Sequence, residues 1–119
     1  MASVLSNKLQ LRDRPLRVIN APAEVVLDAP RAAAADEEAA VLVFVRTRAD
    51  LETHADPALA AARADGLAWI AYPKAGQLGT DLNRDVLWQA LQGRGVRPVR
   101  QIALDTVWSA LRFRPAEGP

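Results

Sequence analysis

The chain contains no cysteine. Disulfides, thiolate nucleophiles and cysteine metal sites are therefore excluded together. Histidine is nearly absent as well. The one residue, His54, rules out a histidine metal cluster, and no motif around it would build a Ser-His-Asp triad with Ser109. No apolar run approaches the roughly 20 residues that span a bilayer. Residues 1–14 lack the apolar stretch of a signal peptide, so the expected address is the cytoplasm, with no membrane partner. There is no GxGxxG fingerprint. Gly76-Gln-Leu-Gly79 lacks the Gly-Lys-Ser/Thr ending of a phosphate loop. An excess of one charge is missing too. Fifteen Lys and Arg stand against 14 Asp and Glu, for a net charge of +1. That balance argues against a nonspecific nucleic-acid binder and a polybasic membrane binder. No cofactor and no metal are expected.

What remains is a globular composition: 119 residues, half of them hydrophobic and 24% charged. At about 100–150 residues per domain this is one domain, residues 1–119, with loose ends at 1–14 and 115–119. Thirteen of the 15 basic residues are arginine and 24 residues are alanine. We attribute that bias to a GC-rich coding sequence and draw no function from it.

Leu16 to Asn20 reads as a short strand ending in a turn at Ala21-Pro22. Ala23 to Asp28 fits a helical turn or a second strand. Arg31 to Glu38 has helix-forming composition without an apolar face, so it reads as a loop with some helical character. Ala40 to Val45 is a continuous apolar run, as a strand buried on both faces would be. Thr47 then stands as a helix N-cap with Asp50 at the third helical position. Asp56-Pro57 divides the following helix into two pieces, near 48–55 and 57–64, and Gly66 is the natural stop. Leu67 to Tyr72 is a second buried strand. A polar loop, 73–80, leads into a third helix over about 82–94. Arg97 to Leu104 and Val107 to Arg114 form a hairpin around Asp105-Thr106. Pro98 fits only a strand start or an edge. Buried strands separated by helices predict crossovers and a parallel sheet. The expected fold is α/β: a small three-layer, Rossmann-like, mostly parallel sheet of five or six strands with a C-terminal antiparallel hairpin.

Ligands of open parallel sheets sit outside the carboxyl ends of the strands. Three segments lie there: 20–22, 46–48 and 72–81. The last is the longest and most polar, and it enters a helix N-terminus, which favours anions. On the third helix, Leu82, Val86, Leu87, Ala90 and Leu91 share an apolar arc. Asp81, Arg84, Asp85 and Trp88 share the opposite face, with Arg84 and Trp88 placed to stack. These residues, with Lys74 and Trp108, are the candidate ligand-binding set; no catalytic residue stands out. Each also has an ordinary structural role to fill. Asp81 or Thr80 is a good N-cap, Arg84 suits a surface ion pair with Asp81 or Asp85, Trp88 would cover the hairpin against Trp108, and Lys74 would be solvated.

The stretches Ala68-Trp-Ile-Ala-Tyr-Pro-Lys74, Thr80-Asp-Leu-Asn-Arg-Asp85 with Trp88, and Asp105-Thr-Val-Trp-Ser-Ala-Leu-Arg-Phe-Arg-Pro115 resemble a family of small bacterial proteins of unknown function. The resemblance spans about residues 40–115. It implies a fold and brings no activity with it. More distantly, the order of elements is similar to the second half of class I methyltransferases, which also end in an antiparallel hairpin. In that class a Gly-rich loop after the first strand binds S-adenosylmethionine; here Asn20-Ala-Pro22 stands in its place. The resemblance implies a trimmed, non-catalytic relative.

Three functions compete on these residues. The first is a non-catalytic binding or regulatory protein, dimerising through an exposed terminal strand at 107–114. The second is a binding module or enzyme for a small anion. Lys74 and Arg84 would hold the anion, Asp81 or Asp85 would act as acid or base, and Trp88 or Trp108 would stack a ring. The third, weakest at a net charge of +1, is a nucleic-acid surface of Arg97, Arg100, Arg112 and Arg114 with Trp108.

Overall fold

A computed structural model describes residues 9, 11, 15–22, 39–74 and 79–116. The readings for Ala23 to Asp28, for Arg31 to Glu38 and for loop residues 75–78 lie outside these residues. Among these residues five strands are seen: β1 (Leu16–Ile19), β2 (Ala40–Phe44), β3 (Ala68–Pro73), β4 (Val96–Ala103) and β5 (Trp108–Pro115). Three described helices accompany them: α1 (Arg48–His54), α2 (Asp56–Arg63) and α3 (Arg84–Leu91).

The strands form one sheet in the order β1-β2-β3-β5-β4. β1 with β2 and β2 with β3 are parallel; β3 with β5 and β5 with β4 are antiparallel. The sheet is therefore mixed, and the expectation of a mostly parallel one does not hold. The cause is where the hairpin docks. β5 inserts between β3 and β4, so both of its ladders are antiparallel. Its sequence explains the choice. Trp108, Ser109, Ala110 and Leu111 are all buried, as an interior strand requires, whereas β4 is mostly exposed. β4 carries Pro98 and a register irregularity between Pro98 and Arg100, two features that an edge tolerates and an interior strand does not. Val99, at that irregularity, is 38% exposed. The strand at 107–114, expected to be free for dimer pairing, is thus fully paired, and β4 is the edge.

Alternation along β2 and β3 splits the core in two. Val41, Val43, Ile70 and Tyr72 face the helices and pack with Leu51 of α1, Leu59 and Ala62 of α2, and Leu87 and Leu91 of α3. Leu42, Phe44, Trp69, Ala71, Trp108 and Ala110 form the opposite face. All three described helices lie on the first face. On the second, the described cover is Leu9 and Leu11, both buried although they belong to the stretch read as a loose end. At the other end, Pro115 pairs with Val96 in β5, and the Ala116 N–H donates to the Gly95 carbonyl at 3.0 Å, so order runs past the expected boundary.

Local chemistry sets the ends of the helices. The Thr47 side chain accepts the Asp50 N–H, as the sequence predicts. Ala55 keeps helical angles between α1 and α2, so Asp56 opens α2 as its first residue instead of capping it. α2 closes by bonds from Asp65 N–H to Ala62 and from Gly66 N–H to Ala61. The left-handed residue there is Asp65, at φ 61°, and not Gly66. The Asp65 carboxylate is held by Arg114 at 3.0 Å, which ties the turn to β5. No described helix is long and apolar enough to cross a membrane.

Candidate functional site

β1 to β4 run in one direction, so their carboxyl ends share one edge of the sheet. An open cleft of about 580 Å³ lies at that edge, beside the ends of β3 and β4. Tyr72 and Lys74 enter it from the end of β3 and Ser109 from the start of β5. Gln101, Ile102 and Ala103 of β4 form one wall, and Asn83 and Arg84 at the start of α3 form the other.

Backbone register builds this arrangement. Tyr72 is paired directly with Ser109, and Ser109 with Ala103, so the three project to the same face. The Lys74 N–H donates to the Val107 carbonyl at 2.7 Å, which carries the pairing one step beyond β3 and sets the origin of the lysine side chain. Asn83 caps α3: its Oδ1 accepts the Val86 N–H at 2.8 Å. That bond orients the amide and leaves its NH₂ as a donor.

The charged groups lining the cleft are both cations, Lys74 and Arg84, and neither has an ion pair among the described residues. The phenol of Tyr72 lies beside them. The residue is 3% exposed, and its hydroxyl is sealed from solvent with no hydrogen-bond partner among the described residues. Burial raises its pKa above the usual 10.0. The Arg84 charge lowers it and the Asp85 charge raises it, both by less than burial does. The phenol is therefore a neutral donor at ordinary pH. An unpaired buried hydroxyl costs free energy unless something completes it.

The other sequence candidates fall elsewhere. Asp81 does not line the cleft. Its Oδ1 accepts the Arg48 N–H at 3.0 Å, serving the N-terminus of α1 from 33 residues away. Thr80 supports the same junction, donating to the Arg46 carbonyl at 2.6 Å and accepting the Leu82 N–H at 3.0 Å. These bonds hold residues 80–82 in a turn. α3 therefore starts at Arg84 with Asn83 as its cap, not at Leu82 behind Thr80 or Asp81, and it ends at Leu91. Replacing Asp81 by alanine is expected to lower stability by about 0.5–2 kcal/mol, the range of a lost helix cap, while anion binding in the cleft is unchanged. Chemical denaturation and a phosphate titration of the same variant check both halves.

Asp85 is exposed in the first turn of α3 and outside the cleft lining. Neither it nor Asp81 forms an ion pair with Arg84 among the described residues. Trp88 is half-buried against the helix-side core. Trp108 belongs to the opposite face, edge-to-face on Phe44 with ring centroids 5.1 Å apart. The sheet separates Trp88 from Trp108, so Trp88 does not cover the hairpin against it. Nor is Trp108, 3% exposed, able to stack a base beside the hairpin arginines. Of those arginines, Arg114 is engaged with Asp65, and Arg97 Nε donates to the Pro115 carbonyl at 3.1 Å.

Of the candidate set, the cleft thus brings Lys74 and Arg84 together and leaves out Asp81, Asp85, Trp88 and Trp108. It adds Tyr72, Asn83, Gln101 and Ser109. Tyr72 reads in sequence as one more apolar residue of a buried strand; the available signal was its position last before Pro73-Lys74. Comparison with family models, with curated proteins and with solved structures gave no match.

Proposed function

We propose that the protein is a non-catalytic binding module for a small anionic molecule, held in the cleft between β3, β4 and α3. One observation carries this reading: among the described residues, every charged side chain lining the cleft is a cation without a counter-ion, and no carboxylate lines it. Two unpaired cations lining one cleft repel each other, and an anion between them relieves that repulsion. Charge-assisted hydrogen bonds from Lys and Arg to an oxyanion are the strong ones. The cleft size falls within the range of small-molecule sites, about 300–1,000 Å³.

The alternative of an enzyme at the same segment needs an acid or base at the ligand. Asp81 is committed to the Arg48 N–H, and a phenol whose pKa is raised is a poor base near neutrality. Both points favour binding over turnover. A trimmed, methyltransferase-like ancestry is compatible with the strand, helix, strand, helix, hairpin order. The turn at Asn20-Ala21-Pro22 offers no glycine for the adenosyl cofactor, and S-adenosylmethionine is accordingly not our ligand. We place the protein in the cytoplasm, where such anions are abundant.

Titration with inorganic phosphate, followed by thermal shift and calorimetry, tests the reading. Binding is expected to weaken as salt rises. It is expected to drop about tenfold or more in Lys74→Ala and in Arg84→Ala. Stabilisation by S-adenosylmethionine that neither variant changes would overturn the proposal.

A further inference from the structure

Resting on that reading, we infer that the ligand is a phosphate ester of a small hydroxylated carbon chain, a sugar or polyol phosphate, and not a nucleotide. The lining of the cleft divides by chemistry. Its charged part is Lys74, Arg84 and the N-terminus of α3. Asn83 caps Val86, which leaves the N–H groups of Arg84 and Asp85 without an acceptor among the described residues. Two cations and free N–H groups at a helix start suit a compact tetrahedral dianion. The sealed, unpartnered hydroxyl of Tyr72 is an independent sign that an acceptor is missing at this place.

The remainder of the cleft is far larger than a phosphate ion needs, and its polar side chains, Gln101 and Ser109, are neutral. An amide and a hydroxyl both donate and accept, which matches the hydroxyl groups of a polyol. A base-bearing ligand is commonly held on an aromatic face. Trp88 packs into the helix-side core, Trp108 lies across the sheet, and the Tyr72 ring is buried. Among the described residues the aromatic lining of the cleft is limited to Tyr72, which is 3% exposed and leaves little face for stacking. Because the Tyr72 oxygen is covered, the ligand reaches it only after a neighbouring side chain shifts. Arg84, exposed and without an ion pair among the described residues, is free to swing toward the phosphate.

Calorimetric titration of the full-length chain with ribose 5-phosphate, inorganic phosphate, ribose, AMP and malate tests the inference. Ribose 5-phosphate is expected to bind at least about tenfold tighter than phosphate or AMP, and ribose alone not at all. Gln101→Ala, an exposed change on the edge strand that leaves the core intact, is expected to bring ribose 5-phosphate down to the level of phosphate and to leave phosphate binding unchanged. Equal affinity for ribose 5-phosphate and phosphate in the unmodified protein would overturn the hydroxylated body while leaving the anion site standing. Tighter AMP would overturn the exclusion of a base. Malate as tight as ribose 5-phosphate would overturn the phosphate group. Absence of binding by every anion would remove both this inference and the reading beneath it.

Discussion

Trp69→Ala is expected to cost about 3–5 kcal/mol, the range for truncating a large core aromatic. A domain of this size holds about 5–15 kcal/mol in total, so the variant should sit near its unfolding midpoint at moderate denaturant. Trp69 is 0% exposed and lies in the middle of β3, paired with Leu42 of β2 on one side and Arg112 of β5 on the other. Its indole N–H donates to the Leu9 carbonyl at 3.0 Å, the one described bond from the sheet to the N-terminal residues that cover this face. Truncation opens a cavity and removes the tie in one step. Trp69→Phe separates the two terms. It keeps much of the buried area and leaves the Leu9 carbonyl unpaired, for an expected loss of about 1–3 kcal/mol beyond the smaller cavity. Urea denaturation followed by far-UV circular dichroism measures both. A loss below about 1 kcal/mol for Trp69→Ala would mean that the Leu9–Leu11 cover collapses into the space, and that this face is loosely packed.

The central strands were the legible part of the fold. Ala40 to Val45 and Leu67 to Tyr72 announce burial on both faces by composition alone, and Thr47 announces the start of α1 by its hydroxyl. The turn at Asp105 was legible for the same local reason: its Oδ1 accepts the N–H groups of Val107 and Trp108, at 2.8 and 2.7 Å. What sequence could not supply was long-range pairing. Hairpin geometry is the same whether β4 or β5 docks on β3, and the choice is decided by the burial of Trp108 to Leu111 together with Pro98 on β4. Asp81 shows a similar limit. A carboxylate just before a helix looks like its cap, yet its partner is a different helix brought near by the sheet.

The candidate site divides along the same line. The segment 72–81 was identified because strand direction follows from the βαβ pattern, and Lys74 and Arg84 do meet at the cleft that lies there. A helical projection gives the azimuth of Trp88 about its own axis. It says nothing of which side of a neighbouring sheet Trp108 takes, and that side is set by the alternation along β5. Tyr72 was hidden for a related reason: an apolar run conceals a phenol whose ring belongs to the core and whose oxygen belongs to a site.

Tyr72→Phe is expected to move stability and binding in opposite directions. The hydroxyl is buried without a partner among the described residues, a condition that costs about 1–3 kcal/mol. Deleting it removes that penalty with almost no change of volume, so the ligand-free protein should become more stable by an amount in that range. The same deletion removes a donor from the anion, and phosphate affinity should fall by about tenfold, the worth of one hydrogen bond to a charged group. Gain of stability with loss of binding is the mark of a residue kept for its ligand. The pH dependence adds a second readout. Tyr72 is the chain's single tyrosine, and burial holds its folded pKa above 10.0. The unfolded chain therefore releases the phenolic proton first. The stability linked to that proton is complete below pH 10 and is lost as pH climbs from there through the folded pKa. The phenylalanine variant has no such proton to lose, so the margin of Tyr72→Phe over the parent should widen above pH 10 and stay constant below it. Tyrosinate absorbance in the folded parent follows the same group directly. A variant less stable than its parent at neutral pH, with phosphate affinity unchanged, would show that the hydroxyl serves the core and that the anion is held by Lys74 and Arg84 without it.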